Sequence, residues 1–345
     1  MGFSNKLILR KILFVIFGLC FAFMECFSQE LIAIADLNGE WKFSIGDNQE
    51  WSSINFNDED WNEIRVPGSW ESQGYYGYDG IAWYRKKINV PSEFNNQNLY
   101  LDLGYIDDVD EVYFNGVKIG ATGGFPPQYK TAYNAKRLYL LPKRLIKQNS
   151  ENLIAVRVFD EQLEGGIIRG NTRLLREKHP LQLDMDLQGL WKFKTGDDLQ
   201  WSNLNNYSDW DEIIVPGTWE NQGYHNYDGF AWYVIQIEPG IELISNKLVL
   251  VLGKIDDIDE LYINGKLVAA TGRLEKGFND IVVSTEYNEF RGYYLPDNIF
   301  EPNKINTIAV RVYDARVHGG IYKGPVGIVT QEKYIRYWRD KKESR

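Results

Sequence analysis

The chain has 345 residues, 44% of them hydrophobic and 14% aromatic, and carries 48 acidic against 38 basic side chains for a formal net charge of −10. That balance argues against nucleic acid or anionic lipid as a partner, because both demand a basic face. Both cysteines, Cys20 and Cys26, fall in the first 28 residues, so residues 29–345 have no thiol for a disulfide or a thiolate metal site.

The first segment in chain order reads as a leader. Lys6, Arg10 and Lys11 form a basic start, and Ile12 to Met24 is an apolar run of 13 residues. That run is shorter than the roughly 20 residues needed to span a bilayer. Cys26 and Ser28 stand at the −3 and −1 positions of a cleavage after Ser28. Residues 1–28 are therefore expected to be a cleaved secretory signal, with a periplasmic or secreted mature chain and no transmembrane segment in it. Three basic residues and one acid leave with the leader, so −10 becomes −12.

A long internal repeat organises the rest. Asp36-Leu-Asn-Gly-Glu-Trp-Lys-Phe43 returns as Asp186-Leu-Gln-Gly-Leu-Trp-Lys-Phe193, 150 residues later. Pro67-Gly-Ser-Trp-Glu71 returns as Pro216-Gly-Thr-Trp-Glu220, and Tyr78-Asp-Gly-Ile-Ala-Trp-Tyr84 as Tyr227-Asp-Gly-Phe-Ala-Trp-Tyr233. Ile106-Asp-Asp-Val-Asp-Glu111 returns as Ile255-Asp-Asp-Ile-Asp-Glu260, and Asn152 to Asp160 as Asn306 to Asp314. Each unit has the size of one domain. The expected modules are 29–178 and 179–330, divided near His179-Pro180, with a polar tail over 331–345 that reads as a short helix.

Within each unit the period is two. Leu99 to Leu103 and Leu248 to Leu252 read as strands, as do Ile154 to Val158 and Ile308 to Val312. Val112 to Gly116 and Leu261 to Gly265 end in Asn-Gly, which supplies the positive φ of a tight type I′ hairpin. Short strands broken by Gly, Pro and Asn predict an all-β chain of two tandem β-sandwiches.

The ordered string Gly-x-Trp-Lys-Phe, Val-Pro-Gly-x-Trp-Glu-x-Gln-Gly-Tyr, Tyr-Asp-Gly-x-Ala-Trp-Tyr, Asp-Glu-x-Tyr-x-Asn-Gly and Ala-Val-Arg-Val resembles a known module. It is similar to the galactose-binding-like jelly-roll "sugar-binding" domain of glycoside hydrolase family 2, and to the inserted β-domain of sialate O-acetylesterases. The resemblance covers residues 36–328 in two copies. It implies a jelly-roll fold and a role beside a catalytic domain. The copies depart from one another at Arg85 against Val234, at Gly165 to Asn171 against Gly319 to Ile328, and between hairpin and last strands, where Phe125 to Tyr133 has no counterpart.

The candidate sugar site is a Gly-rich loop present twice. It holds Trp70, Glu71, Tyr75, Tyr78 and Asp79 in the first copy, and Trp219, Glu220, Tyr224, Tyr227 and Asp228 in the second. Aromatic faces cover the C–H face of a sugar ring, and carboxylates accept hydrogen bonds from its hydroxyls. A structural reading stands beside this one, in which both Trp plug the sandwich end and both Glu bond loop amides. Trp41, Trp51, Trp61 and Trp83, with Trp191, Trp201, Trp210 and Trp232, are expected in the sandwich cores.

The acidic string Asp107, Asp108, Asp110, Glu111 and its copy Asp256, Asp257, Asp259, Glu260 invites a glycosidase pair or a calcium site. Strand alternation points neighbours apart, and the spacing matches no established calcium loop. A solvated, turn-forming or ion-paired role is favoured, with Arg157 and Arg311 as partners. The three histidines, His179, His225 and His318, form no repeated set. No catalytic residues, assigned metal ligands or cofactor are expected, structural calcium remaining open, and the protein partner is unidentified. The chain is expected to be a non-catalytic accessory protein that binds a glycan or polysaccharide. The alternatives are a divergent or partial β-galactosidase-like hydrolase or sugar O-acetylesterase, and a structural module of an envelope assembly.

Overall fold

The computed structural model describes residues 31–94, 97–204, 206–273, 285–316 and 318–343; the leader expected over residues 1–28 lies outside them. Each repeat builds two antiparallel sheets with a core between them. In module 1 the six-stranded sheet holds β2 (Gly39–Ile45), β3 (Asn62–Val66), β4 (Gly80–Ile88), β6 (Val109–Phe114), β7 (Val117–Thr122) and β9 (Asn152–Asp160), ordered β3-β2-β4-β9-β6-β7. The five-stranded sheet centres on β5 (Leu99–Asp107), which pairs with β8 (Lys136–Leu141), β10 (Gly166–Arg169) and β11 (Arg173–Glu177), with β1 (Leu31–Asp36) outside β11.

Module 2 repeats this plan. Its six-stranded sheet is β13 (Gly189–Thr195), β14 (Asp211–Val215), β15 (Gly229–Ile237), β17 (Ile258–Ile263), β18 (Lys266–Thr271) and β20 (Asn306–Asp314), ordered β14-β13-β15-β20-β17-β18. Its second sheet centres on β16 (Leu248–Asp256), paired with β19 (Phe290–Tyr294), β21 (Gly320–Lys323) and β22 (Gly327–Thr330), with β12 (Met185–Asp186) beyond β22.

Both Asn-Gly hairpins form as their sequence requires. Asn115 and Gly116 have φ of 52° and 87°, and Asn264 and Gly265 have 50° and 76°. Two consecutive positive φ values match the right-handed twist of the flanking strands. Alternation along β2, β4 and β9 then sends Trp41, Phe43, Tyr84, Val156 and Val158 inward against Leu99, Leu101, Leu103 and Leu174 of the opposite sheet.

Trp83 and Trp232 do not lie in those cores. Their strand neighbours Ala82, Tyr84, Ala231 and Tyr233 face inward, so both rings face out. Trp83 gathers Tyr113, Leu153, Trp51 and Trp61 into a cluster on the outer face, and Trp232 gathers Tyr207, Trp210, Tyr262 and Trp201. The expectation that all eight Trp fill the sandwich interiors is thus corrected. Trp41 and Trp191 do so, whereas the other six build separate clusters beneath the loops after β2 and β13.

The polar tail is a helix, Gln331–Glu343. Tyr334 and Tyr337, one turn apart, cover Val249, Val251 and Val329 on the outer face of the second sheet of module 2. The modules also touch one another. Asn98 donates to Asp186 at 2.8 Å, Lys143 pairs with Asp186 at 3.1 Å, and Leu190 and Ile214 pack against the core of module 1.

Candidate functional site

The Gly-rich loop sits between β3 and β4, at one end of the sandwich. Trp70 is fully buried. Its backbone N–H donates to the Gly165 carbonyl at 3.1 Å, and its indole N–H to the Tyr78 carbonyl at 3.1 Å. The ring fills the space a side chain at Gly165 would take, since a Cβ there would lie 2.1 Å from it. Both Glu71 oxygens accept the Gly165 N–H, at 3.2 and 3.1 Å. Module 2 repeats this frame except for the indole bond: Trp219 is fully buried against Gly319, its backbone N–H donates to the Gly319 carbonyl at 3.1 Å, and Glu220 accepts the Gly319 N–H at 3.1 and 3.2 Å, but the Trp219 indole N–H has no hydrogen-bond partner in bonding geometry. Stacking on a sugar is therefore not available to Trp70 or Trp219, because neither presents a ring face to solvent. Glu71 and Glu220 are engaged in holding loop amides.

The tyrosines brace this frame. Tyr75 packs edge-on to Phe43 at 4.8 Å and its hydroxyl accepts from Asn62 at 2.8 Å. Tyr224 packs edge-on to Phe193 at 4.7 Å and donates to Asp211 at 2.6 Å. Tyr78 donates to the Ile81 carbonyl at 2.7 Å, and Tyr227 to the Phe230 carbonyl at 2.5 Å. All four are half-buried, while Asp79 and Asp228 are exposed.

Sequence reasoning missed Tyr76, which is 93% exposed between Tyr75 and Tyr78. The signal was its counterpart: the second copy has His225 at that place in an otherwise matching string. His225 is half-buried, and burial, aided by the charges of Lys130 and Lys118 from module 1, depresses its pKa. The turn Glu220–Gln222 beside it lies against β7. The two loops thus have different surroundings.

Behind each loop lies a group of carboxylates. Asp107 ends β5, Asp108 forms the bend into β6, and Asp160 ends β9. Because Asp108 lies at a bend rather than within a strand, alternation does not separate the two neighbours. Carboxylate oxygens of Asp107, Asp108 and Asp160 all lie within 4.8 Å of one another, as do those of Asp256, Asp257 and Asp314. The Asp108 N–H donates to the Phe159 carbonyl at 3.1 Å, and the Arg137 guanidinium holds the Asp108 carbonyl at 2.8 Å.

Arg137 is itself fully buried and pairs with Asp110 at 2.7 Å, as Arg291 pairs with Asp259 at 2.8 Å. The acidic string is therefore not uniformly solvated. Asp110 and Asp259 are fully buried with arginines that their sequence neighbourhood does not point to. Arg157 and Arg311, the partners expected from the sequence, pair with Glu111 at 3.0 Å and Glu260 at 2.9 Å.

The electrostatics of the group are those of crowded acids. Burial, then hydrogen bonding to and the charge of Asp108, pushes Asp107 up to about 7. Burial, then the charge of Asp108, pushes Asp160 up to about 7. Against its own burial, Asp108 is held below the usual carboxylate range by hydrogen bonds from Thr131, Tyr129 and the Glu161 N–H. In module 2 burial and the neighbouring acids bring Asp256 to about 8 and Asp314 to about 6.

Residues 46–164 match the family model described as the second all-β domain of β-galactosidase. A β-glucuronidase of Formosa agariphila is 27% identical over 140 residues, which is 37% of this chain and 13% of that protein. A β-galactosidase of Bacteroides ovatus is 25% identical over 148 residues, 39% of this chain and 16% of that protein. A β-galactosidase of Vibrio vulnificus is 46% identical over 110 residues, 24% of this chain and 10% of that protein. The matched part thus spans at most 16% of the length of these relatives.

Proposed function

Because the chain carries an all-β domain associated with glycoside hydrolase family 2, we propose that it is an exported, non-catalytic accessory protein that binds carbohydrate. The observation that carries this reading is the loop of module 1. Tyr76 projects 93% exposed from a loop fixed by Trp70, Tyr75 and Tyr78, and the exposed Asp79 lies three residues further on. A ring held out on a rigid frame offers a sugar its apolar face, and a nearby carboxylate accepts hydroxyl hydrogen bonds. One open loop buries little area, so affinity for a single sugar unit should be about 1 mM.

The test is binding of the chain from residue 29 to a panel of polysaccharides, in parent and Tyr76→Ala forms. Tyr76→Ala should abolish retention while shifting stability by less than about 0.5 kcal/mol, as expected of an exposed side chain. Retention unchanged by Tyr76→Ala sinks the assignment. Mass spectrometry of exported material tests the leader, the expected N-terminus being Gln29.

A purely structural role is the second reading. It is favoured by the turn Glu220–Gln222, which lies against β7 of module 1. No polysaccharide retained by the parent chain would select it.

A further inference from the structure

Three carboxylates converge twice in this chain, and nothing of opposite charge bonds to them. Among the described residues, no Lys, Arg or His forms an ion pair with Asp107, Asp108 or Asp160, nor with Asp256, Asp257 or Asp314. The nearby arginines, Arg137 and Arg291, are spent on Asp110 and Asp259.

A second observation points to a ligand. Asp160 is 0% exposed, and both its carboxylate oxygens lack a hydrogen-bond partner in bonding geometry. Asp314 is likewise 0% exposed, with Oδ1 accepting from the Arg316 N–H at 3.1 Å and Oδ2 unpartnered. Burying a charged oxygen without a partner is expensive, so such atoms are found paired, hydrogen-bonded or on a cation. Here the unpartnered oxygens belong to the groups of acids in which all three side chains come within 4.8 Å.

We propose that each module carries a site for a hard divalent cation of the calcium class, held by Asp107, Asp108 and Asp160 in module 1 and by Asp256, Asp257 and Asp314 in module 2. The donor set is all carboxylate oxygen, with no imidazole or thiolate, which suits calcium and disfavours zinc or copper. Asp107 and Asp256 are only half-buried, so water reaches the group and completes the six to eight oxygens that calcium takes. Mg2+ demands a tighter octahedron than three side chains on two strand ends provide.

The backbone is already in place to hold these ligands. The Arg137 and Arg291 guanidinium groups hold the Asp108 and Asp257 carbonyls at 2.8 and 2.7 Å. The Asp108 carboxylate also accepts the Glu161 N–H at 3.2 Å, and Asp257 accepts the Ala315 N–H at 3.1 Å. These contacts fix the middle carboxylate of each group, while both Asp160 oxygens and Asp314 Oδ2 keep no partner and remain available to an ion. The site needs no bound sugar, so it stands or falls independently of the carbohydrate reading.

The test is calorimetric titration of the chelator-treated chain from residue 29 with CaCl2. Two Ca2+ per chain are expected, with dissociation constants of about 0.1 to 1 mM, the range of extracellular modules. About 5 mM Ca2+ should raise the melting temperature by several degrees, and chelator should reverse the rise. Asp160→Asn and Asp314→Asn should each remove one of the two equivalents. Without metal, each variant should melt no lower than the parent, because an amide relieves the crowding of charge. If one of them fails to fold, Asp107→Asn or Asp256→Asn takes its place. Absence of both Ca2+ heat and a Ca2+-dependent melting shift in the parent overturns the proposal. So does retention of both equivalents by the Asn variants, and so does binding of Mg2+ in preference to Ca2+.

Discussion

In module 1 the loop after β2 closes over Arg85, whose guanidinium pairs with Asp58 at 2.7 Å and donates to the carbonyls of Trp51, Ser53 and Phe56. In module 2 the corresponding positions are Val234 and Tyr207, 149 residues on in both cases. There the Tyr207 hydroxyl accepts from the Leu204 N–H at 2.7 Å and donates to the Trp201 carbonyl at 3.2 Å, and its ring packs edge-on to Trp210 at 5.0 Å. One copy satisfies the loop with a buried ion pair, the other with a hydroxyl above an aliphatic side chain. The copies differ at both positions, and either difference alone would leave a buried charge or an unfilled space.

The second sheets differ in the same manner. Tyr100 and Asp102 face outward from β5, and Asp102 is paired with Arg173 at 2.8 Å and Lys136 at 3.2 Å. Their counterparts Val249 and Val251 are apolar, and the helix Gln331–Glu343 covers them. A strand covered on both faces reads as a continuous apolar run, and β16 does so over Leu248 to Leu252.

The sharpest way to break the first comparison is Arg85→Ala. It strands the Asp58 carboxylate and three loop carbonyls, and should cost about 3–5 kcal/mol in chemical denaturation. Asp58→Tyr combined with Arg85→Val transplants the filling of module 2 and should return to within about 1 kcal/mol of the parent. A double variant no more stable than Arg85→Ala would show that the two fillings are not interchangeable.

The next largest effect distinguishes the two loop glutamates. Glu220 is 6% exposed, and burial raises its pKa to about 7 from the 4.5 of an unburied glutamate. Glu71, only half-buried, is raised by the same cause. A folded value above the unfolded one means that the native chain binds more protons between the two. This contribution to stability is therefore lost as pH climbs from about 4.5 to about 7. Above that window Glu220→Gln should stabilise the chain by on the order of 2 kcal/mol, and near pH 4.5 it should be neutral. Glu71→Gln should do less. Denaturation across pH, with chelator present, checks both, and equal effects would contradict the difference in burial.

The smallest effect sharpens the role of Tyr207. Tyr207→Phe keeps the ring and removes only the hydroxyl, so it should cost about 1 kcal/mol in the same denaturation measurement. A loss as large as that of Arg85→Ala would mean that the hydroxyl alone carries the loop.

Much of the frame was legible in the chain. The repeat and the period of two placed β5, β9, β16 and β20, and Asn115-Gly116 and Asn264-Gly265 placed both hairpins, because these features depend on local backbone geometry. The pairing of Arg157 with Glu111 was also within reach, as was the structural reading of Trp70 and Glu71. Tyr76 was legible only through its mismatch with His225 in the second copy, because nothing in its own residue type distinguishes a ring turned to solvent from the packed rings of Tyr75 and Tyr78 on either side.

What the sequence determined by itself is the duplicated order of strands and turns, since hydrophobic period and turn chemistry act over a few residues. The tertiary structure decided which face each large side chain covers and which acids meet. Trp83 faces out because its neighbours Ala82 and Tyr84 are committed to the interior. Asp160 joins Asp107 and Asp108 only because β9 lies beside β6 in the sheet and ends at the bend after β5. Contacts between residues more than 50 positions apart arise from strand pairing and from what covers each face, and neither is written in a local pattern.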